Sequence, residues 1–338
     1  MELLRLVGKR TVQLVAVLLA VSFFTFVLIH LLPGDVTQVI IPFGTPEQKA
    51  RLAADLGLKD GFFTQYWNYV SGLVQGDLGH QYSTGRPVSQ LVEQSLPVSI
   101  QLMIYAQIIA LLFAIPLGVF AAYRSGSRAD RAINTSAFGL LALPNFVLAL
   151  LLSYIIGAEL KLLPTGGYAP GLLDQVFDSS RTPDFGSPTD WFSQAPNHFN
   201  YMLLPAFSLA VGQIAVYMRL LRSDMIATLQ ENFITMAKAK GISNRRILWR
   251  HALRPSSLTL LTVAGLNVGT LIGGAIVVEV IFQIPGMGLK IGQAVFSKEF
   301  VELQSYIIVI AALFVLLNFL IDFLYAVLDP RIRRAQAS

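Results

Sequence analysis

The chain has 338 residues, 54% of them hydrophobic and only 13% charged, and its mean hydropathy is +0.60. Soluble domains carry about 25% charged residues, so a water-soluble globule is disfavoured and a bilayer is the expected solvent. With no cysteine, the chain has no disulfide, thiol nucleophile, iron–sulfur cluster or cysteine-rich zinc site. Its four histidines, His30, His80, His198 and His251, lie far apart and form no HExxH pattern. The net charge of +5 does not read as a nucleic-acid footprint, because the charges gather at the ends of apolar runs, as in membrane proteins.

Crossing a hydrocarbon core takes about 20 apolar residues in helical form. Six stretches without Asp, Glu, Lys or Arg meet that need: Thr11–Leu32, Pro97–Tyr123, Ala132–Ala158, Phe199–Met218, Pro255–Val278 and Leu303–Ile321. The first is longer than a signal-peptide core and lacks a small-residue cleavage site before Pro33, so it is expected to stay as a span. Seventeen of the 25 Lys and Arg residues lie at the N-terminus, around Arg124–Arg131, in the loop from Arg219 to Arg254, and in the tail; the other eight lie on the opposite side. By the positive-inside rule both termini are expected to be cytoplasmic.

Between the first two spans, residues 33–96 contain an amphipathic stretch around Glu47–Leu58, the aromatic cluster Tyr66–Tyr69 and the turn-rich Gly76-Asp-Leu-Gly79. They are expected to form a small extracytoplasmic cap. A Pro-, Gly- and Asp-rich outer loop is expected over 159–198. The chain thus divides into 1–32, 33–96 and a five-helix core 97–338, with no fixed-period internal repeat.

The cytoplasmic loop 222–254 is the most informative segment. Ile226, Leu229, Phe233 and Met236/Ala237 recur at helical spacing, Gly241 ends that pattern, and Ser243 can cap a second helix carrying Ile247, Leu248 and Ala252. Two short helices meeting at a glycine make a protruding knob, and the small Ala237 and Ala239 near its tip let a partner's backbone approach. The alternative is a basic amphipathic loop resting on anionic headgroups.

Ala237-Lys-Ala-Lys-Gly241, with Glu231-Asn-Phe233 before it and Arg246-Ile-Leu-Trp-Arg-His251-Ala-Leu-Arg254 after it, resembles the coupling loop of ABC-importer permeases of the dipeptide/oligopeptide/nickel family. Further pieces occur in family order: Leu32-Pro-Gly-Asp35, Leu56-Gly-Leu58, Gly76-Asp-Leu-Gly79, Arg86-Pro-Val88, Leu163-Pro-Thr-Gly166, Leu204-Pro-Ala206, Gly273 to Glu279, Pro285-Gly-Met-Gly288, Asn318 to Asp322, and Leu328 to Arg333. Val36 and Lys298-Glu-Phe300 depart from the pattern. The resemblance implies an all-α integral membrane protein of the bacterial cytoplasmic (inner) membrane, with six transmembrane helices, the cap and a coupling-helix loop, as in type I ABC importers. It also implies ATPase-coupling roles for Glu231, Phe233, Ala237, Ala239, Lys240 and Gly241. The implied partners are a second permease subunit, two cytoplasmic ATPase subunits, an extracytoplasmic binding protein and membrane lipids, with no nucleic acid.

Gly265, Gly269 and Gly273 recur every four residues and read as a helix-packing stripe or as part of a translocation path, with Asn267 and Thr270 as its polar groups. Glu279 and Asp322 sit near span ends, within reach of water or a partner, and read as structural partners or gate anchors rather than proton carriers. Gln101, Gln107, Asn145, Gln213 and Asn318 are expected to bond to neighbouring helices, and His30 to lie at the interface. No catalytic constellation, metal site or GxxxxGK[ST] phosphate loop is present in the sequence, so no cofactor is expected in this chain and ATP with Mg²⁺ is expected in the partner ATPases. Two readings compete with the peptide importer: a permease for nickel or another small solute, and a secondary transporter or channel. The latter is disfavoured by the absence of central charges and of a duplicated half; only an ATP-coupled importer needs the docking knob.

Overall fold

The computed structural model describes residues 2–31, 37, 40–41, 43–55, 59–171 and 188–328. The motifs Leu32–Asp35 and Leu56–Leu58, much of the outer loop, the side chain of Asp322 and the tail beyond Leu328 lie outside the described part. In chain order the helices are α1 (Glu2–Leu31), α2 (Pro46–Asp55), α3 (Phe62–Val74), α4 (Val88–Tyr123), α5 (Arg128–Leu141), α6 (Asn145–Leu152), α7 (Pro188–Leu229), α8 (Asn232–Ala239), α9 (Asn244–Arg246), α10 (Leu253–Phe282), α11 (Met287–Ser297) and α12 (Phe300–Leu328). Wider π-helical turns continue α6 over Ser153–Glu159 and join α9 to α10 over Ile247–Ala252. Among the described residues the only β pairing is an isolated bridge between His80 and Pro87. An all-helical chain is the expected answer to lipid, where each backbone N–H and C=O must be satisfied within its own segment.

Among the described residues, four helices are long and apolar enough to cross a membrane, or five if one bent pair counts as a span. That pair corrects the straight span expected over Ala132–Ala158: α5 and α6 meet at 102°. Pro144 begins the break, since it has no N–H to donate and pushes Leu143 out of the helical region. The other expected boundaries also shift. Pro97 lies inside α4, which starts at Val88, and its 36 residues span roughly 54 Å at 1.5 Å per residue. Residues 188–198, expected as loop, form the first turns of α7, which runs unbroken to Leu229.

The described residues fall into two compact units, one built from residues 1–98 and 285–338, the other from 99–172 and 183–284. In the first, α1 packs on α12 and on α3. The aromatic cluster read from sequence sits here: Phe26 lies edge-on to Phe62 and Tyr66, and the Tyr66 hydroxyl is 3.0 Å from the Ser22 hydroxyl. The His30 ring lies tilted against Phe26, 3.0 Å from the Gln65 side chain.

The segment 77–87 is fastened to the start of α12 by a carboxylate. Buried Glu299 accepts the backbone N–H groups of Tyr82 and Ser83 at 2.7 and 2.8 Å. Gln81 donates to Glu302 at 2.8 Å, and the Ser305 hydroxyl donates to the Leu78 carbonyl at 2.7 Å. Burial, reinforced by the Glu299 charge, pushes the Tyr82 phenol up to about 12. Gly79 is required at its place: its φ is +78°, and a Cβ there would meet Val301 Cγ1 at 2.6 Å. Thus the run Lys298-Glu-Phe300 supplies the group that holds this segment. Glu299→Ala leaves two part-buried N–H donors without this acceptor, at no more than about 1–3 kcal/mol each. The expected result is a lower unfolding midpoint in detergent and faster proteolysis between Gln81 and Arg86, measured against Glu299→Gln.

In the second unit, α7 is the central element: α10, α5 and α6 all pack on it. Its inward face carries Tyr217, Met218, Leu221 and Met225, and the same core includes Ile234, Ala237, Ile247 and Ala252 from the segment that follows.

Candidate coupling loop and intramembrane polar network

The amphipathic helix expected through Ile226–Ala237 is two helices. The chain leaves α7 at Leu229, and Glu231 takes an extended conformation as N-cap of α8 without a side-chain cap bond. Gly241 has φ +73°, with Gly241 N–H bonding the Lys238 carbonyl at 3.0 Å and Ile242 N–H bonding the Ala237 carbonyl at 3.2 Å. This pair of bonds is the Schellman ending, in which a glycine in the left-handed region satisfies the last carbonyls. Ser243 precedes α9 as N-cap, but through backbone geometry alone, with no hydroxyl bond. Three residues after the π-helical turn stands Pro255, which offers no N–H to the His251 carbonyl and so disturbs the regular ladder at that level.

Burial reassigns the roles within α8. Ile234 is fully buried and Ala237 is 7% exposed, whereas Phe233 and Met236 are 47% and 59% exposed. Ala237, assigned to a partner contact because it is small, instead packs into the chain's own core. Its size matters on the inner side. The outward surface of the loop carries Phe233, Met236, Ala239, Lys240 and, beyond Gly241, Arg245, Arg246, Trp249, Arg250 and Arg254. It is apolar and basic together.

Two part-buried links tie this loop to the helices. Thr228 near the end of α7 and Ser256 at the start of α10 share a hydrogen bond of 2.9 Å, and Ser256 also donates to the Ala252 carbonyl. About two turns before α7 ends, Arg222 grips Asp130 with two bonds, Nε to Oδ1 at 2.6 Å and Nη2 to Oδ2 at 2.7 Å. Asp130 is 2% exposed, and its carboxylate also accepts Gly126 N–H at 2.9 Å and the Asn134 amide at 2.8 Å. Ser127 caps α5 by accepting Asp130 N–H at 3.2 Å. From the sequence, Arg222 reads only as one of the basic residues that set orientation, and nothing in the spacing pairs it with Asp130. The Ser127-x-x-Asp130 capping pattern was the available signal.

Higher along α10, the polar residues named from sequence meet. Asn267 donates to Gln213 at 3.2 Å, Gln213 donates to Thr270 at 3.0 Å, and Thr270 donates to the Asn267 carbonyl at 2.7 Å. Gln107 donates to the Ala264 carbonyl at 3.4 Å and accepts from Tyr217 at 3.3 Å. The glycines do not form one packed stripe. Gly269 is buried and Gly265 half-buried, but Gly273 is exposed, with nothing within 4 Å of an added Cβ. Positions four apart drift about 40° around a helix at each step, so the stripe turns out of the contact. Close approach falls at Gly274, where a Cβ would meet Leu209 at 3.1 Å and Asn145 at 3.2 Å.

Glu279, expected within reach of water, is fully buried and accepts the Ser99 hydroxyl at 2.6 Å. The reason is that α10 runs to Phe282, which puts Glu279 a turn inside the helix. Near the same end of α7, His198 donates from Nδ1 to the Ala169 carbonyl at 2.6 Å, which leaves Nε2 to accept from Tyr105 at 3.1 Å. Among the described residues no cluster of His, Asp or Glu is arranged to hold a metal ion.

Long apolar helices, with their polar side chains turned onto one another, define a multi-pass membrane protein. The chain belongs to the family of binding-protein-dependent transport system inner membrane components, whose description matches residues 114–334. The N-terminal component of the same systems matches residues 3–103. A probable peptide ABC transporter permease of Sinorhizobium fredii is 33% identical over 96% of this chain and 98% of its own length. The oligopeptide transport system permease protein AppB of Bacillus subtilis gives the same figures, and the dipeptide transport system permease protein DppB of Escherichia coli is 33% identical over 98% of this chain and 99% of its own.

Asp130→Ala strands the Arg222 guanidinium and is expected to cost about 3 kcal/mol; Ala237→Asp buries a carboxylate with no partner and also destabilises the fold. Both variants are expected to lower the unfolding midpoint of the purified protein, whereas Met236→Asp, on the open side of α8, leaves it within about 0.5 kcal/mol of the parent.

Proposed function

We propose that this chain is the transmembrane permease subunit of an ATP-driven importer of di- or oligopeptides. Near-complete alignment with three peptide-transport permeases carries the reading. The exposed apolar and basic face of the loop after α7 supports it, because a permease without a phosphate loop must receive its energy through contact with another protein. Six spans, an extracytoplasmic cap over 33–96, cytoplasmic termini, a second permease subunit, two ATPase subunits holding ATP and Mg²⁺, and an external binding protein complete the proposed assembly.

In the proposed cycle, ATP binding draws the ATPases together and displaces α8 and α9. Because α7 runs without a break from the span to Leu229, that displacement passes into the membrane rather than being lost in a slack loop. The linkages Arg222–Asp130 and Thr228–Ser256 make the lever stiff. The spans alternate between inward-open and outward-open states, each favoured by a different nucleotide state of the ATPases. Asn267, Thr270 and exposed Gly273 are the candidates for the path itself, and Glu279 and Asp322 act as structural anchors. ATPase contact is assigned to Glu231, Phe233, Met236, Ala239 and Lys240, with Gly241 setting the angle between the two short helices and Ala237 supporting them from inside.

Met236→Asp and Lys240→Glu are each expected to leave membrane level and fold unchanged while reducing ATPase co-purification and stimulation of hydrolysis by loaded binding protein by tenfold or more. Wild-type stimulation in both would overturn the coupling role. Orientation has its own check, made simple by a chain without cysteine. Asp178→Cys should react with an impermeant maleimide on intact spheroplasts, and Ser243→Cys only after the membrane is opened; the reverse would overturn the topology.

A further inference from the structure

The second unit contains an open cavity of 790 Å³ between α5, α7 and α10, whose lining includes the basic Arg131, Arg219 and Arg222 and the apolar Phe138, Leu220 and Val263. One carboxylate, Asp130, also lines it, and both of its oxygens are already engaged by Arg222, Gly126 and Asn134. The cavity therefore presents two guanidinium groups, those of Arg131 and Arg219, with no lining carboxylate left to neutralise them. Arg219 lies over the Phe138 ring, its guanidinium carbon 4.0 Å from the ring centroid. A cation–π contact of this kind does not use up the guanidinium N–H donors, which can still serve an anionic acceptor.

We infer that this cavity binds the phosphate headgroup of an anionic phospholipid from the cytoplasmic leaflet. The sidedness rests on the topology proposed above. A peptide does not fit the charge: its α-ammonium needs a carboxylate, and the one present is consumed. Nor does a small soluble anion use the apolar wall. An acyl chain does, because the helices that form the cavity continue away from their basic ends with exposed apolar side chains, among them Leu141 on α5 and Leu266 on α10. Basic pockets between helices at the cytoplasmic surface are the ordinary recognition mode for such headgroups, with each Lys or Arg contributing comparably to attraction. Bound there, the lipid bridges the α5 start to the stretch of α7 that leads to the loop.

The test uses the full assembled complex in nanodiscs of mixed phosphatidylglycerol and phosphatidylcholine, with lipid retained after extraction read by native mass spectrometry. Wild type is expected to retain phosphatidylglycerol in preference to phosphatidylcholine. The double variant Arg131→Gln/Arg219→Gln is expected to lose roughly tenfold or more of that preference. Arg222 is left in place because it holds Asp130. As a control of equal charge loss, Arg124→Gln/Arg128→Gln, at exposed positions on the turn before α5 and at its first residue, should retain the lipid as wild type does. Equal retention of the two lipids by wild type, an unchanged preference in the Arg131/Arg219 variant, or an equal loss in the control would each overturn the assignment. So would displacement of phosphatidylglycerol by inorganic phosphate, which would make this a soluble-anion site. Co-purification of the ATPase subunits and stimulation of hydrolysis, measured on the same samples, report separately on the coupling proposal. Lipid preference with coupling lost in Met236→Asp supports both, while coupling intact with no lipid preference overturns this inference alone.

Discussion

Lipid offers no hydrogen-bond partners, and the polar side chains of this protein are arranged under that constraint. Among the described residues, several polar groups that enter an apolar helix find a partner on a neighbouring helix or on their own backbone. Asn267, Gln213 and Thr270 close one such set, and Gln107, Tyr217 and the Ala264 carbonyl close another. Each set links helices that apolar packing alone would leave free to slide, since in lipid there is little hydrophobic drive between helices. Glu279 follows the same rule at higher cost, being fully buried against Ser99.

At the basic ends of the helices the problem changes from satisfying neutral groups to holding a charge. Taking Asp130 out of water is compensated by two bonds from Arg222, a backbone N–H and an amide; with fewer partners the desolvation penalty would dominate. This arrangement fixes the turn between α4 and α5 to the last part of α7. The following loop then has a firm base, and its small residue Ala237 faces that base, leaving bulkier Phe233 and Met236 outside. A surface with apolar and basic groups in one place suits a protein partner better than bulk water.

In the other unit Glu299 acts by a related principle with backbone donors. A carboxylate that accepts two consecutive N–H groups sets the course of the chain between Gln81 and Ser83 without requiring a strand or helix there. The segment gains a defined shape from one side chain at the start of α12.

Much of the architecture was legible in the sequence because the bilayer imposes a length and a charge pattern that can be counted. The apolar stretches, the helical class, the turn at Gly76–Gly79 and the break at Gly241 all follow from local chemistry: apolar run length, and glycines that adopt positive φ. The family was legible too, through motif order. What the sequence did not determine was which side of a short helix faces inward, as at Ala237, or which four-residue stripe of glycines stays in contact, as Gly274 replaced Gly273. It also did not reveal the pairing of Asp130 with Arg222, 92 positions apart, nor the use of Glu299 as an anchor. Those depend on which helices become neighbours and at what rotation, and no periodicity within a single segment carries that information. Tertiary packing decided them, because a buried polar group is tolerated only where another segment brings its partner within hydrogen-bond distance.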